Sequence, residues 1–201
     1  MANVQKLKEN LERNGFVVSY YETAAEAKAA LVGAIKGKTV GMGGSVTLRD
    51  MGLYEALSEE NQVFWHWKQQ PINEARNKAN AAEVYLTSLN GVAETGELIN
   101  IDGDGNRLAA TTFGDKKVYF VIGINKIAPD FHSAVQRARN VAAPMNARRL
   151  NKQTPCALGE EIKCYDCKGP GRICKGMTVL YNKLGGVTEM EVVIIGEELG
   201  Y

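Results

Sequence analysis

The chain has 201 residues, 45% of them apolar and 23% charged, which suffices for one substantial hydrophobic core and is ordinary for a folded soluble protein. Its formal net charge is +1 and no Lys/Arg run stands out, which excludes a general electrostatic handle for nucleic acid or anionic lipid. The longest apolar runs, VYFVIG and VVIIG, are far too short to span a bilayer, so no membrane partner is expected either.

Helix and strand signals then alternate along the chain. MANVQKLKENLERNG sets Val4, Leu7 and Leu11 at helical spacing among charges, without the apolar core of a signal peptide; the expectation is a cytoplasmic protein. FVVSYYE reads as a strand. In TAAEAKAALVGAIKG, Thr23 is the expected N-cap, Glu26 its capping-box partner and Gly37 the stop. KTVGMGG is a short strand running into glycines, and Thr47 with Asp50 suggests a second capping box before a helix over LRDMGLYEAL, weakened by Gly52. QVFWHW follows as a strand and PINEARNKANAAE as a helix with Pro71 near its first turn.

VYLTSLNGVAE reads as a buried strand and then a loop, while ELINID, GDGN and RLAATTF predict a β-hairpin across a glycine-rich turn. KVYFVIGINKI, apolar almost throughout, is the expected central strand. DFHSAVQRARNVAAPMNARRL is the longest helical pattern, kinked or ended by Pro144, and MTVLYN and EMEVVIIGEEL supply the last strands. This alternation predicts an α/β fold: three layers, a mainly parallel sheet with helices on both faces. One domain over residues 1–201 is expected, with a short cysteine-rich insertion at about 155–176.

In such a sheet, ligands lie beyond the carboxyl ends of the strands. The segment from Gly41 to Leu48 has that layout: strand, glycines, Ser45, Thr47, helix. Gly43 and Gly44 can adopt positive φ and admit a ligand to the backbone, and free amides at the next helix start favour a phosphate or carboxylate. Ser45 and Thr47 would add hydroxyls and Arg49 a counter-charge; the alternative is a tight turn whose glycines serve packing. The pattern is neither a Walker loop nor G-x-G-x-x-G, because Val46 stands where the third glycine belongs.

Asp102, Asp104 and Asn106 imitate a calcium loop, but Arg107 and Phe113 occupy the glycine and bidentate-glutamate positions, so a turn is the better account. Glu94 follows a buried strand and is a candidate nucleophile or general base, or else a solvated loop carboxylate. Asn125 and Lys126, at the end of the central strand, fall on the ligand side of the sheet, where Lys126 either pairs an anion or lies at the surface. Arg148 and Arg149 face substrate or solvent. His66 and His132 read as structural, and Trp65 with Trp67 as packing residues.

Four cysteines lie within one short segment: Cys156, the C-x-x-C pair Cys164 and Cys167, and Cys174. Four thiolates so spaced can hold Zn²⁺ or a [4Fe–4S] cluster, with Lys163, Lys168, Arg172 and Lys175 offsetting their charge. The spacing matches neither a ferredoxin nor a paired zinc knuckle, and free thiols, a redox-active pair or disulfides are the alternatives.

GGSVTLRDMGL, ETGELINIDGDGNRLAA, VIGINKI and VAAPMNARRL, in this order, resemble the LUD domain of the lactate utilization proteins B and C. The resemblance runs from about residue 3 to the closing IGEELGY. It implies a NagB/RpiA/CoA-transferase-like fold whose first glycine turn contacts phosphate or CoA-like groups, which puts Gly43, Gly44, Ser45 and Thr47 at the ligand. Ala93-Glu94-Thr95-Gly96 is similar to the Ser-Glu-Asn-Gly signature around a CoA-transferase's catalytic glutamate, with two of the four residues different. The cysteine segment departs from lactate utilization protein C, which often carries none. The leading expectation is a small anionic metabolite bound by a protein of lactate or organic-acid oxidation, working with iron–sulfur oxidoreductase subunits. A transferase or isomerase using Glu94, and a non-catalytic ligand-binding or assembly protein, are the alternatives. Oligomeric state is open, a homo-oligomer included.

Overall fold

The computed structural model describes residues 2–201. The chain runs through α1 (Val4–Arg13), β1 (Val17–Tyr21), α2 (Ala24–Ala34), β2 (Thr39–Met42), α3 (Val46–Asp50), α4 (Leu53–Ser58), β3 (Gln62–Trp65), α5 (Ile72–Ala81) and β4 (Val84–Thr87). Next come β5 (Gly91–Ala93), β6 (Leu98–Asp102), α6 (Asn106–Thr112), β7 (Gly114–Gly123), a 3₁₀ turn (Ile124–Lys126) and β8 (Ile127–Ala128). A long helix follows as α7 (Phe131–Arg137), a π-helical turn (Ala138–Ala142) and α8 (Ala143–Arg149), and α9 (Pro155–Leu158), β9 (Gly176–Leu180) and β10 (Val187–Ile195) complete the order.

Six strands form one sheet in the order β1-β10-β7-β4-β2-β3, every neighbouring pair parallel. β7 is central, as its apolar run demands, and its two faces feed two cores. Val118, Phe120 and Ile122 pack with Leu7 and Leu11 of α1, whereas Tyr119 and Val121 pack with Leu31, Leu53 and Leu57 of α2 and α4. The period-2 alternation of a strand thus puts helices on both faces. Gly41 in β2 marks where α5 crosses closest: a Cβ there would lie 2.1 Å from the Ala79 carbonyl oxygen. Among the described residues no helix is long and apolar enough to cross a membrane.

The structure corrects several local expectations. A second sheet, β8-β5-β6-β9, lies outside the parallel one, so GVA (91–93) is a strand rather than a loop. RLAATTF does not return as a hairpin strand: residues 106–112 form α6. Gly105 takes φ +85°, and Asp102 accepts the Arg107 amide at 3.1 Å, satisfying one of the first-turn donors that a helix leaves unpaired. β6 pairs with β9 instead, antiparallel and far along the chain.

Thr23 and Glu26 form the expected capping box, but α2 ends at Ala34, before Gly37. The cap of α3 is Ser45, which accepts the Leu48 amide at 3.2 Å, not Thr47; Gly52 at φ +62° divides the expected helix into α3 and α4. Pro144 neither ends the long helix nor stands alone as its irregularity. The π-helical turn immediately before it shifts the hydrogen-bond register to Ala143 N–H donating to the Ala138 carbonyl, and the helix runs on to Arg149.

Candidate functional site

β2 and β4 are neighbours in the parallel sheet, so the loops at their carboxyl ends open side by side. There, with the 3₁₀ turn after β7, they border a cavity of about 470 Å³. Gly44, Ser45, Thr47, Ser88 and Lys126 line it. Gly43 does not: its N–H is bonded to the Leu86 carbonyl at 2.9 Å and its own carbonyl accepts from Trp65 Nε1 at 3.0 Å. Neither Gly43 nor Gly44 takes positive φ. Their requirement is closeness, since a Cβ on Gly43 would meet Thr87 Oγ1 at 2.8 Å and one on Gly44 the Trp67 indole at 3.2 Å. The amides of Gly44, Ser45, Val46 and Thr47 have no backbone acceptor among the described residues.

Lys126 is the chemical centre of this floor. It is 3% exposed, and its Nζ donates to Thr47 Oγ1 at 3.0 Å and Ser88 Oγ at 2.8 Å, with no carboxylate in ion-pair distance among the described residues. Burial, then Arg137 and Arg107, brings its ammonium down to about 7. Arg137 fixes the surroundings by donating to the carbonyls of Asn125 (2.7 Å) and Asn90 (2.6 Å), the segments flanking Lys126 and β5. Asn125 turns its amide away from the floor, taking the Leu199 N–H at 3.1 Å and donating to the Gly200 carbonyl at 3.3 Å. It therefore clamps the C-terminal strip whose Tyr201 reaches the cavity wall.

The walls are basic. Seven side chains of the lining are Lys or Arg against two aspartates, and both acids are occupied. Asp104 pairs with Arg76 at 2.5 Å and Asp102 with Arg107 at 3.5 Å. Arg149 lies 4.7 Å above the Trp67 ring, which itself stacks on Trp65 at 5.1 Å, and Asn146 Oδ1 holds its guanidinium at 2.8 Å. So Trp67 does pack, as its spacing implied, but what it positions is a cation. His66 also faces the cavity; burial, then Arg76, holds it down to about 4, and its buried Nδ1 has no partner among the described residues.

Three further candidates from the sequence stand elsewhere. Arg49 pairs with its neighbour Asp50 at 2.8 Å at the surface. Glu94 is outside the cavity lining: its carboxylate accepts the Asn3 amide at 2.7 Å and Lys6 Nζ at 3.4 Å, tying down the start of α1. The structure therefore does not bring Glu94 together with the glycine turn. Arg148 also leaves the site, donating to the carbonyls of Gly159 (2.5 Å) and Glu160 (3.1 Å). Ser88, Arg107, Arg137 and Arg149 are what sequence reasoning missed or left undecided. A usable signal existed for Ser88, which directly follows a wholly buried parallel strand.

Residues 159–175 carry no regular secondary structure and bring Pro170–Lys175 over the cavity. The four cysteines are free and half-buried. Cys174 lines the cavity, Cys156 contacts Thr154 Oγ1 at 3.4 Å, and Cys164 accepts from the Asp166 amide at 3.3 Å. Among the described residues no three His, Cys, Asp or Glu side chains, the four cysteines included, gather into a metal-holding group.

No curated protein matches the chain. A crystal structure of a DUF162 family protein from Deinococcus radiodurans is similar over 96% of both chains, with a TM-score of 0.58 at 15% identity, a likeness of fold. The family model described as the LUD domain matches residues 4–195. With that match spanning almost its whole length, and the parallel sheet and glycine turn in the order described above, the chain belongs to the LUD domain family.

Proposed function

We propose that the chain binds a small anionic metabolite in this cavity and acts in the oxidation of lactate or a related organic acid, in the cytoplasm. One observation carries the anion. Of the basic side chains on the wall, Lys126, Arg149, Lys152 and Lys175 make no ion pair among the described residues, while both aspartates are already held by arginines. Uncompensated charge beside a low-dielectric wall favours an incoming anion. Arg149, planar and fixed over Trp67, suits a carboxylate in particular.

The organic-acid role, and iron–sulfur oxidoreductase subunits as partners, are supported by the motif resemblance to lactate utilization proteins rather than by geometry. A transferase built on Glu94 draws no support from the cavity, which that carboxylate does not line. Calorimetric titration of the full chain with lactate, pyruvate and inorganic phosphate tests the reading. Saturable binding of at least one, weakened in Arg149→Met, is expected. Absence of binding by all three, or equal binding by the variant, overturns it.

A further inference from the structure

Lys126 has an unusual balance of partners. A protonated lysine carries three N–H donors, and a neutral amine has two plus a lone pair. Among the described residues two acceptors meet Nζ, Thr47 Oγ1 and Ser88 Oγ, and the Thr47 hydroxyl is also within 3.3 Å of the Leu199 carbonyl oxygen, which can take its proton. The two hydroxyls thus satisfy a neutral amine completely and leave its lone pair unused. Among the described residues nothing anionic stands by to hold a third proton, and Arg137 and Arg107 bias the site against one. The same nitrogen lines a cavity that also presents Arg149.

From this geometry we infer that Lys126 is a covalent-binding residue, forming a reversible imine with a carbonyl compound that carries an adjacent carboxylate, a 2-oxo acid. The inference rests on the anion-binding reading above and names its substrate class. In the step, the Nζ lone pair attacks the carbonyl carbon while the carbonyl π electrons move to oxygen. Nζ passes a proton to that oxygen, giving a neutral carbinolamine. A second proton from Nζ leaves with the hydroxyl as water, and the C=N bond forms. One amine and one carbonyl become one imine and one water, with no change of oxidation state and no further reactant. Arg149 holds the carboxylate, and the hydroxyls of Ser88 and Thr47 relay protons. Lys116 is a built-in control. It is also buried, but its ammonium reaches the Asn80 carbonyl and does not line the cavity.

The test is reductive trapping of the full chain with pyruvate and cyanoborohydride at pH 7.5, read by peptide mass spectrometry. A nitrogen titrating near 7 keeps on the order of 10³ more of its amine neutral than a surface lysine does, so a carboxyethyl group should accumulate on Lys126 well before any other lysine. In Arg149→Met, which keeps the electrophile the same and removes the carboxylate's partner, pyruvate should label Lys126 at least about tenfold more slowly, one lost charged hydrogen bond's worth of binding. Excess lactate, the same anion without a carbonyl, should protect. Labelling spread over surface lysines with Lys126 bare overturns the proposal. If lactate still binds by calorimetry in that case, the imine alone is wrong; if lactate, pyruvate and phosphate all fail to bind, both readings fall. Lys126→Arg, which keeps a cation on the floor, should leave no adduct anywhere in the cavity; an adduct on Lys152 or Lys175 at the wild-type rate would assign the chemistry to the rim instead.

Discussion

The floor and the roof of the cavity are built by different means. The floor is the carboxyl end of a parallel sheet, where Gly43 and Leu86 extend the ladder and Lys126, Thr47 and Ser88 close a hydrogen-bonded set. The roof, residues 159–175, has no ladder and is tied by side chains reaching backbone carbonyls, such as Arg148 to Gly159 and Arg172 to Cys167. Only a scaffold whose positions are over-determined by neighbouring strands can hold a lysine without a counter-ion. A loop held by a few arginines would move to solvate it. The floor is thus fixed by ladder and buried hydrogen bonds, the segment 159–175 only by side chains on carbonyls.

Breaking the floor should have the largest effect. Gly41→Val would drive a side chain into the Ala79 carbonyl, 2.1 Å from the Cβ position, and should destabilise the fold by about 3 kcal/mol or more in urea titration. Lys126→Met probes the floor's charge. Its folded value, about 7, is below the unfolded value near 10.4, so the unfolded state binds more protons between those limits and wild-type stability rises with pH across that window. The charge penalty is complete below pH 7. The variant should therefore stand best against wild type at pH 6, by about 4 kcal/mol relative to its standing at pH 10; a pH-independent difference would contradict the assignment.

Smaller effects sharpen the contrast. Arg149→Met should weaken anion binding by about 10- to 100-fold in calorimetry, the loss of one charged hydrogen-bonding group. Glu94→Gln should cost about 1 kcal/mol in stability, through its bonds to Asn3 and Lys6, and leave anion affinity unchanged. On the roof, Gly169→Ala meets open space and should shift stability by less than about 0.5 kcal/mol, against the large loss from Gly41.

Reading residues in chain order located much of this. Leu7 and Leu11, the Thr23–Glu26 box and the apolar run of β7 declare themselves because their determinants lie within a turn of helix or a stretch of strand. RLAATTF reads as a strand because its pattern is compatible with one, whereas the deciding contact, Asp102 on the Arg107 amide, is an interaction that pattern alone does not reveal. Glu94 resembled a catalytic signature locally, yet its partners are Asn3 and Lys6, some ninety positions away, a distance no local motif registers.

By itself, then, the amino-acid order determined an α/β chain with a parallel sheet, a glycine bend after β2 and a lysine after β7, since periodicity and turn chemistry are short-range properties. Tertiary structure alone decided that Lys126 meets Ser88 and Thr47, that Arg149 rather than Arg148 faces inward, and that Cys174 lines the cavity. The physical reason is that burial and charge compensation depend on which strand ends become neighbours, and β2, β4 and β7 become neighbours only when the sheet assembles.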